Sequence, residues 1–423
     1  MQITGKRFDN TDEKYTRVTF DNGFTCYIIP KDVVSAYAAI GVHFGSCDTV
    51  CADTNEVFPV GTAHFLEHKM FQTRKGDAFE LFADLGAAAN AYTANDKTVY
   101  NFSCTENFCE NYAVLLDMVF NAHYTKKSVE KEKGIIAQEI MMYADNPRWR
   151  CHMNMLELLY GKCALSADPC GTVEYIRTIT PELLDRCRKI AYTPDRMVAC
   201  VCGNVDVDRI IEQTEKALKN VKCGKGKTFL LPEITEKTVK TRHAEYGDVA
   251  SPIFNMGIRL DGGKARADIK EFAAVEIIMN LLFGKSSDMY SELYEKGLFE
   301  AIGDGCQTER NAFYANVSGV SMSPDAFKES VCAKIKGYAE KGFDKTDFER
   351  TKKAIYGDLI FSYESPESVA DSVISFHMEN DDFFEYPAAI ASVDKEFAEE
   401  FFRERFLPEN ICISIIFPKE DVK

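Results

Sequence analysis

Two histidines four residues apart with a glutamate between them, His64-Phe65-Leu66-Glu67-His68, are the residues of this chain best suited to hold a metal ion and work with it. The stretch follows Pro59 and Gly61 and is compatible with a helix, in which four residues make a little over one turn. The His64 and His68 side chains then stack on one face and can reach one ion, with Glu67 one turn after His64 on the same side. Neutral imidazoles suit zinc, and a catalytic zinc keeps three protein ligands and leaves the fourth position open. A third ligand is therefore required. The stretch Ser128 to Tyr143 reads as a helix and offers Glu132 and Glu139, almost two whole turns apart on one face. Spacing allows either to reach the metal, and a tetrahedral site takes only one. The chemistry such a set supports is metal-assisted peptide hydrolysis, with Glu67 taking a proton from an attacking water and passing it to the leaving amine.

These groups need a scaffold. The opening VTFDNGFTCYIIP places Asn22-Gly23 between two β-rich runs, a strong hairpin signal, and AYAAIGVHFGS is a further strand before the motif. Between about Val221 and Val249 the texture becomes Lys-rich, weakly periodic and punctuated by Gly and Pro, which suggests a linker. The expected organisation is a metal-binding half over 1–222, a linker over 223–248 and a second half over 249–423. The halves also match each other. Residues 124–147, YTKKSVEKEKGIIAQEIMMYADNP, lie without a gap on 343–366, FDKTDFERTKKAIYGDLIFSYESP, so that Glu130 meets Glu349, Lys133 meets Lys352, Ile136 meets Ile355, and the closing prolines coincide. Upstream, GVHFGSCD resembles MGIRLDGG and HFLEHKMF falls opposite EIIMNLLF, so that His64, Glu67, His68 and Glu139 face Glu276, Met279, Asn280 and Asp358. The second half has the frame without the metal set.

Composition narrows the partners. A net charge of -16 makes nucleic acid an unsuitable ligand, because phosphate contacts need clustered Lys and Arg. No segment offers about 18 uncharged apolar residues in a row, so no membrane span is expected. The start of the sequence shows no export signal, and fifteen Cys, an odd number, argue for reduced thiols and a cytoplasmic location. Cys200 and Cys202 lie in the apolar run MVACVCG and read as part of a buried strand.

The combination of GTAHFLEHKMF, GAAANAYTANDKTVYNFS, EKEKGIIAQEIMMYADNP and the two-half layout resembles the inverzincin peptidases of the pitrilysin, insulin-degrading enzyme and mitochondrial processing peptidase type, peptidase family M16. The resemblance covers nearly the whole chain and looks closest to the short bacterial members built from a single pair of halves. It implies an α+β fold of two similar α/β halves, each a mixed or antiparallel sheet packed with helices on one side, together forming half of a clam-shell chamber. It implies one zinc ion per chain, bound by His64, His68 and Glu139, with Glu67 as general base and Glu132 as a supporting carboxylate behind the ligands. It further implies that Asn90, Ala91 and Tyr92 belong to an edge strand against which an extended peptide pairs.

One departure stands out. Complete family sites carry an Arg and a Tyr that hold the substrate carbonyl, whereas Tyr294 and Glu300 occupy the matching positions here. The expected protein is a zinc endopeptidase of small or unfolded peptides whose missing donors come from a homologous subunit, as a heterodimer or homodimer. The alternative is a non-catalytic assembly subunit resembling those of respiratory complexes.

Overall fold

The structure is a computed structural model that describes residues 1–7, 14–219, 221, 224–262 and 267–419. The expected boundary between 222 and 223 lies outside the described residues. Two large sheets organise the chain. The first holds β1 (Gln2–Arg7), β2 (Lys14–Thr19), β3 (Thr25–Pro30), β4 (Ala36–Val42), β5 (Ala88–Thr93), β6 (Thr98–Cys104) and β7 (Met197–Gly203). The second holds β8 (Arg242–Gly247), β9 (Ile253–Arg259), β10 (Ala301–Glu309), β11 (Ala312–Val320) and β12 (Ile411–Pro418).

The strand order is β1-β2-β3-β7-β4-β6-β5 in the first sheet and β8-β12-β9-β11-β10 in the second. Five strands of the first repeat the second one for one, including the single parallel pair, β3 with β7 and β8 with β12. The remaining pairs of the repeat are antiparallel. The expected hairpin forms: Thr19 pairs with Thr25 across a turn in which Gly23 takes a positive φ of 91°.

Helices repeat as well. Between β4 and β5 runs α1 (Thr62–Met70), and α2 (Lys126–Asp145) and α3 (Pro147–Tyr160) follow β6. In the second half α4 (Ile269–Phe283) lies between β9 and β10, and α5 (Lys345–Ser362) and α6 (Pro366–Met378) follow β11. The gapless frame read from the sequence is therefore structural: Pro147 and Pro366 both open a helix just after an N-cap, Asn146 and Ser365 respectively.

Two compact units result, and neither is contiguous in sequence. One contains residues 1–140, 168–230 and 361–384; the other contains 141–167, 231–360 and 385–423. This division differs from a simple cut at a linker for two reasons. The first is helix packing: α6 lies on β4 and β7 of the first sheet, while α3 lies on β9 and β12 of the second. Equivalent glycines admit these helices, because a Cβ at Gly41 of β4 would collide with Ile374, and one at Gly257 of β9 would collide with Met155. The second is β8, a strand inside the expected linker, which is held by parallel pairing with the distant β12. Cys200 and Cys202 are buried in β7, as the apolar run suggests.

Candidate metal centre

Helix α1 begins at Thr62, directly after Gly61, which takes φ of 93° and sits so close to the backbone of Cys170 that a side chain would not fit. Apolar Phe65, Leu66 and Met70 anchor the helix in the core of the first unit. The opposite face presents His64, Glu67 and His68 at helical spacing, and the two imidazole rings lie 4.7 Å apart. Helix α2 brings Glu139 to them. One carboxylate oxygen lies 3.5 Å from His64 Nε2 and the other 3.4 Å from His68 Nε2.

Donor atoms of His64, His68 and Glu139 all lie within 4.8 Å of one another, and they form the one such group among the described residues. The donors fit a small cation. Zinc bonds of about 2.0–2.1 Å at tetrahedral angles put neighbouring ligand atoms about 3.3 Å apart. Two imidazoles and a carboxylate are also a donor set that zinc prefers. His64 Nδ1 is buried without a partner, so its Nε2 is the nitrogen with a task.

Glu132, two turns before Glu139, does not join this group. Its Oε1 lies 3.1 Å from His68 Nδ1, and its Oε2 accepts from Lys69 Nζ at 2.7 Å. Both of its oxygens are engaged, so of the two carboxylates it is Glu139 whose oxygens face the Nε2 atoms of His64 and His68. Lys69 is fully buried and reaches the carbonyl of Ser128 as well. A buried ammonium needs a charged partner, and Glu132 supplies it.

Titration follows from these contacts. Burial alone would lower the His68 imidazolium, but hydrogen bonds to Glu132 and Glu139 outweigh it and raise the pKa to about 9. Burial would raise Glu132, yet hydrogen bonds from His68 and Lys69 hold it down at about 2. Hydrogen bonds to His64 and His68 keep Glu139 below the usual carboxylate range.

Glu67 is nearly buried, and its Oε2 accepts a 2.6 Å hydrogen bond from Thr93 Oγ1. Thr93 ends β5, and β5 is an edge strand: it pairs with β6 on one side and, among the described residues, has no neighbour in the sheet on the other. Asn90, Ala91 and Tyr92 lie on this edge, with Asn90 exposed and its Oδ1 accepting from Ala91 N. In the second unit Tyr294 is exposed on a short helix, and Glu300 enters the sheet through its backbone bond to Val320.

Two neighbours, Lys69 and Cys170, escaped the sequence reading, and so did the contact of Thr93, expected only as part of the edge strand Asn90-Ala91-Tyr92-Thr93, with Glu67. Lys69 could have been found, since it continues the apolar face of Phe65 and Leu66 as a lone charge one turn from Phe65. Thr93 and Cys170 carry no such signal. Cys170 Sγ lies 3.8 Å from His64 Nε2, and burial pushes its thiol pKa up, so it stays a neutral neighbour. Among the described residues no helix is long and apolar enough to cross a membrane.

Residues 31–170 match the family model described as insulinase (peptidase family M16), and residues 178–355 match that of the peptidase M16 inactive domain. The chain is 31% identical to the zinc protease YmfH of Bacillus subtilis over 97% of this chain and 98% of that protein. A crystal structure of an M16-like peptidase from Alicyclobacillus acidocaldarius superposes with a TM-score of 0.91 at 30% identity, over 97% of this chain and 99% of that one. Pitrilysin shares the fold, with a TM-score of 0.77 at 19% identity over 99% of this chain and 46% of its own length.

Proposed function

The chain belongs to peptidase family M16, and on that premise we propose that it is a zinc-dependent endopeptidase that hydrolyses small or unfolded peptides. The observation that carries the reading is the convergence of His64, His68 and Glu139 donor atoms within 4.8 Å beside the carboxylate of Glu67. His64, His68 and Glu139 would hold one zinc ion, which when bound supplies a Lewis acid that polarises a carbonyl and acidifies water. Glu132 fixes the imidazole of His68 by facing its Nδ1. Glu67 accepts the proton of the attacking water and returns it to the leaving amine nitrogen. An extended peptide pairs along the free edge of β5 at Asn90, Ala91 and Tyr92, which sets the scissile bond over α1.

The substrate-holding donors come from a homologous subunit, either a paralogue or a second copy, because Tyr294 stands where the family carries its Arg donor and Glu300 where it carries its Tyr donor. Such donors are worth orders of magnitude in rate. A pure single chain that cleaves peptides as fast as any mixture with a homologous subunit overturns this part. A scaffold role is disfavoured by the complete ligand set, which a non-catalytic subunit has no need to keep. We place the protein in the cytoplasm on its free-thiol composition.

Glu67→Gln tests the central reading. The variant is expected to keep its zinc and lose hydrolysis, since Glu67 does not ligate the metal in this scheme. Retained hydrolysis, or an active preparation free of metal, refutes it.

A further inference from the structure

Glu67 can serve as a base only if its carboxylate is aimed, and among the described residues the group that aims it is Thr93, whose hydroxyl donates to Oε2 at 2.6 Å. The backbone of Thr93 is well fixed. It pairs with Thr98 of β6, and the next residue, Ala94, donates its N–H to the carbonyl of Lys97 in the tight turn that follows. Thr98 is buried, with its own hydroxyl on the carbonyl of Phe44. A β-branched side chain on such a backbone has little rotamer freedom. The charge of Glu67 acts on the buried Tyr100 and Tyr192, which are joined to each other through their hydroxyls at 2.7 Å.

We propose that Thr93 is a positioning residue for the hydrolytic step: its hydroxyl holds Oε2 of Glu67 and leaves Oε1 as the proton acceptor. The inference rests on the reading of Glu67 as general base. In the step, one proton leaves water for Oε1 as oxygen attacks the carbonyl carbon, and it passes to the amine nitrogen as the C–N bond breaks. The Thr93 hydroxyl keeps its proton throughout. Because Thr93 ends the strand whose free edge would receive the peptide, peptide register and base orientation are set by one rigid element.

The test uses Thr93→Val, Thr93→Ser and Glu67→Gln, assayed on an unstructured fluorogenic peptide in the preparation in which the wild-type chain cleaves, with a homologous subunit if one is required. T93V is expected to lower kcat about 10- to 100-fold. KM should change less than about twofold and zinc content should be unchanged, and T93S should recover most of the rate. A kcat within about twofold of wild type in T93V, with E67Q inactive, overturns the inference and spares the assignment of Glu67. Full activity in E67Q overturns that assignment and the inference with it. A readout without turnover is the denaturation cycle of T93V, E67Q and the double variant. Non-additive midpoints support the hydrogen bond, and additive ones refute it.

Discussion

Metal affinity should fall about 50-fold between pH 9 and 7, a dependence that an ordinary histidine site does not show. The cause is the proton that His68 carries when no cation is bound, since its pKa rises to about 9 because hydrogen bonds to Glu132 and Glu139 outweigh the effect of burial. A cation must displace that proton. At pH 7 the competition factor is about 100, and at pH 8 about 10, whereas an imidazole with a pKa of about 6.5 gives a factor below about 2 at pH 7. The factor is already about 2 at pH 9, so the loss between pH 9 and 7 is about 50-fold, or about 2.3 kcal/mol of apparent binding free energy. The assay is chelator competition for zinc on the metal-free chain from pH 6.5 to 9.5, corrected for protonation of the chelator. A change below about threefold between pH 7 and 9 refutes the account of His68. Glu132→Gln, which removes one acceptor of His68, should flatten the curve. The same proton stabilises the metal-free fold with a definite sign. The folded pKa lies above the unfolded one, so this contribution is complete below about pH 6.5 and is lost as pH rises through about 9.

Other perturbations probe the scaffold. Lys69→Met leaves the Glu132 carboxylate without its ammonium and should destabilise the fold by about 3–5 kcal/mol in denaturant titration, while the Lys69→Met/Glu132→Gln pair should recover much of the loss. Burial raises Asp371 to about 6 on α6, where it accepts from the Tyr37 hydroxyl. Its contribution is therefore complete below about pH 3.8 and disappears as pH rises through about 6, so Asp371→Asn should raise the melting temperature at pH 8 and leave it nearly unchanged at pH 4. Gly257→Ala should cost about 1–3 kcal/mol by forcing α3 off β9, with the loss read from a lowered melting temperature.

The fold was legible from sequence wherever its causes are local. Asn22-Gly23 marks the hairpin because a turn with positive φ selects those residues, and the helices α2 and α5 announce themselves by matching polarity and by the prolines that start their successors. What stayed hidden depends on partners far away in the chain. β8 carries a pattern no stronger than the linker around it, and only parallel pairing with β12, some 165 residues on, makes it a strand. The seating of α3 on the second sheet and α6 on the first turns on Gly257 and Gly41, whose missing side chains mean nothing until the crossing helix is known.

The site shows the same limit at smaller scale. Periodicity alone puts His64, Glu67 and His68 on one face, because that geometry belongs to a single helix. It could not choose between Glu132 and Glu139, which share a face of α2 and have the same chemistry. The difference arises from the pairing of α2 with α1. Lys69, with no water to hydrate it, must bind a carboxylate, and the nearest is Glu132, whose other oxygen then faces His68 Nδ1. Glu139 is left with both oxygens directed at the two Nε2 atoms. A lysine in an apolar helical stripe thus separates the contacts of the two carboxylates. Exchanging it for an apolar residue should blur that separation, and metal-coordination spectroscopy on Lys69→Met is expected to report a mixed carboxylate environment where the wild type gives one.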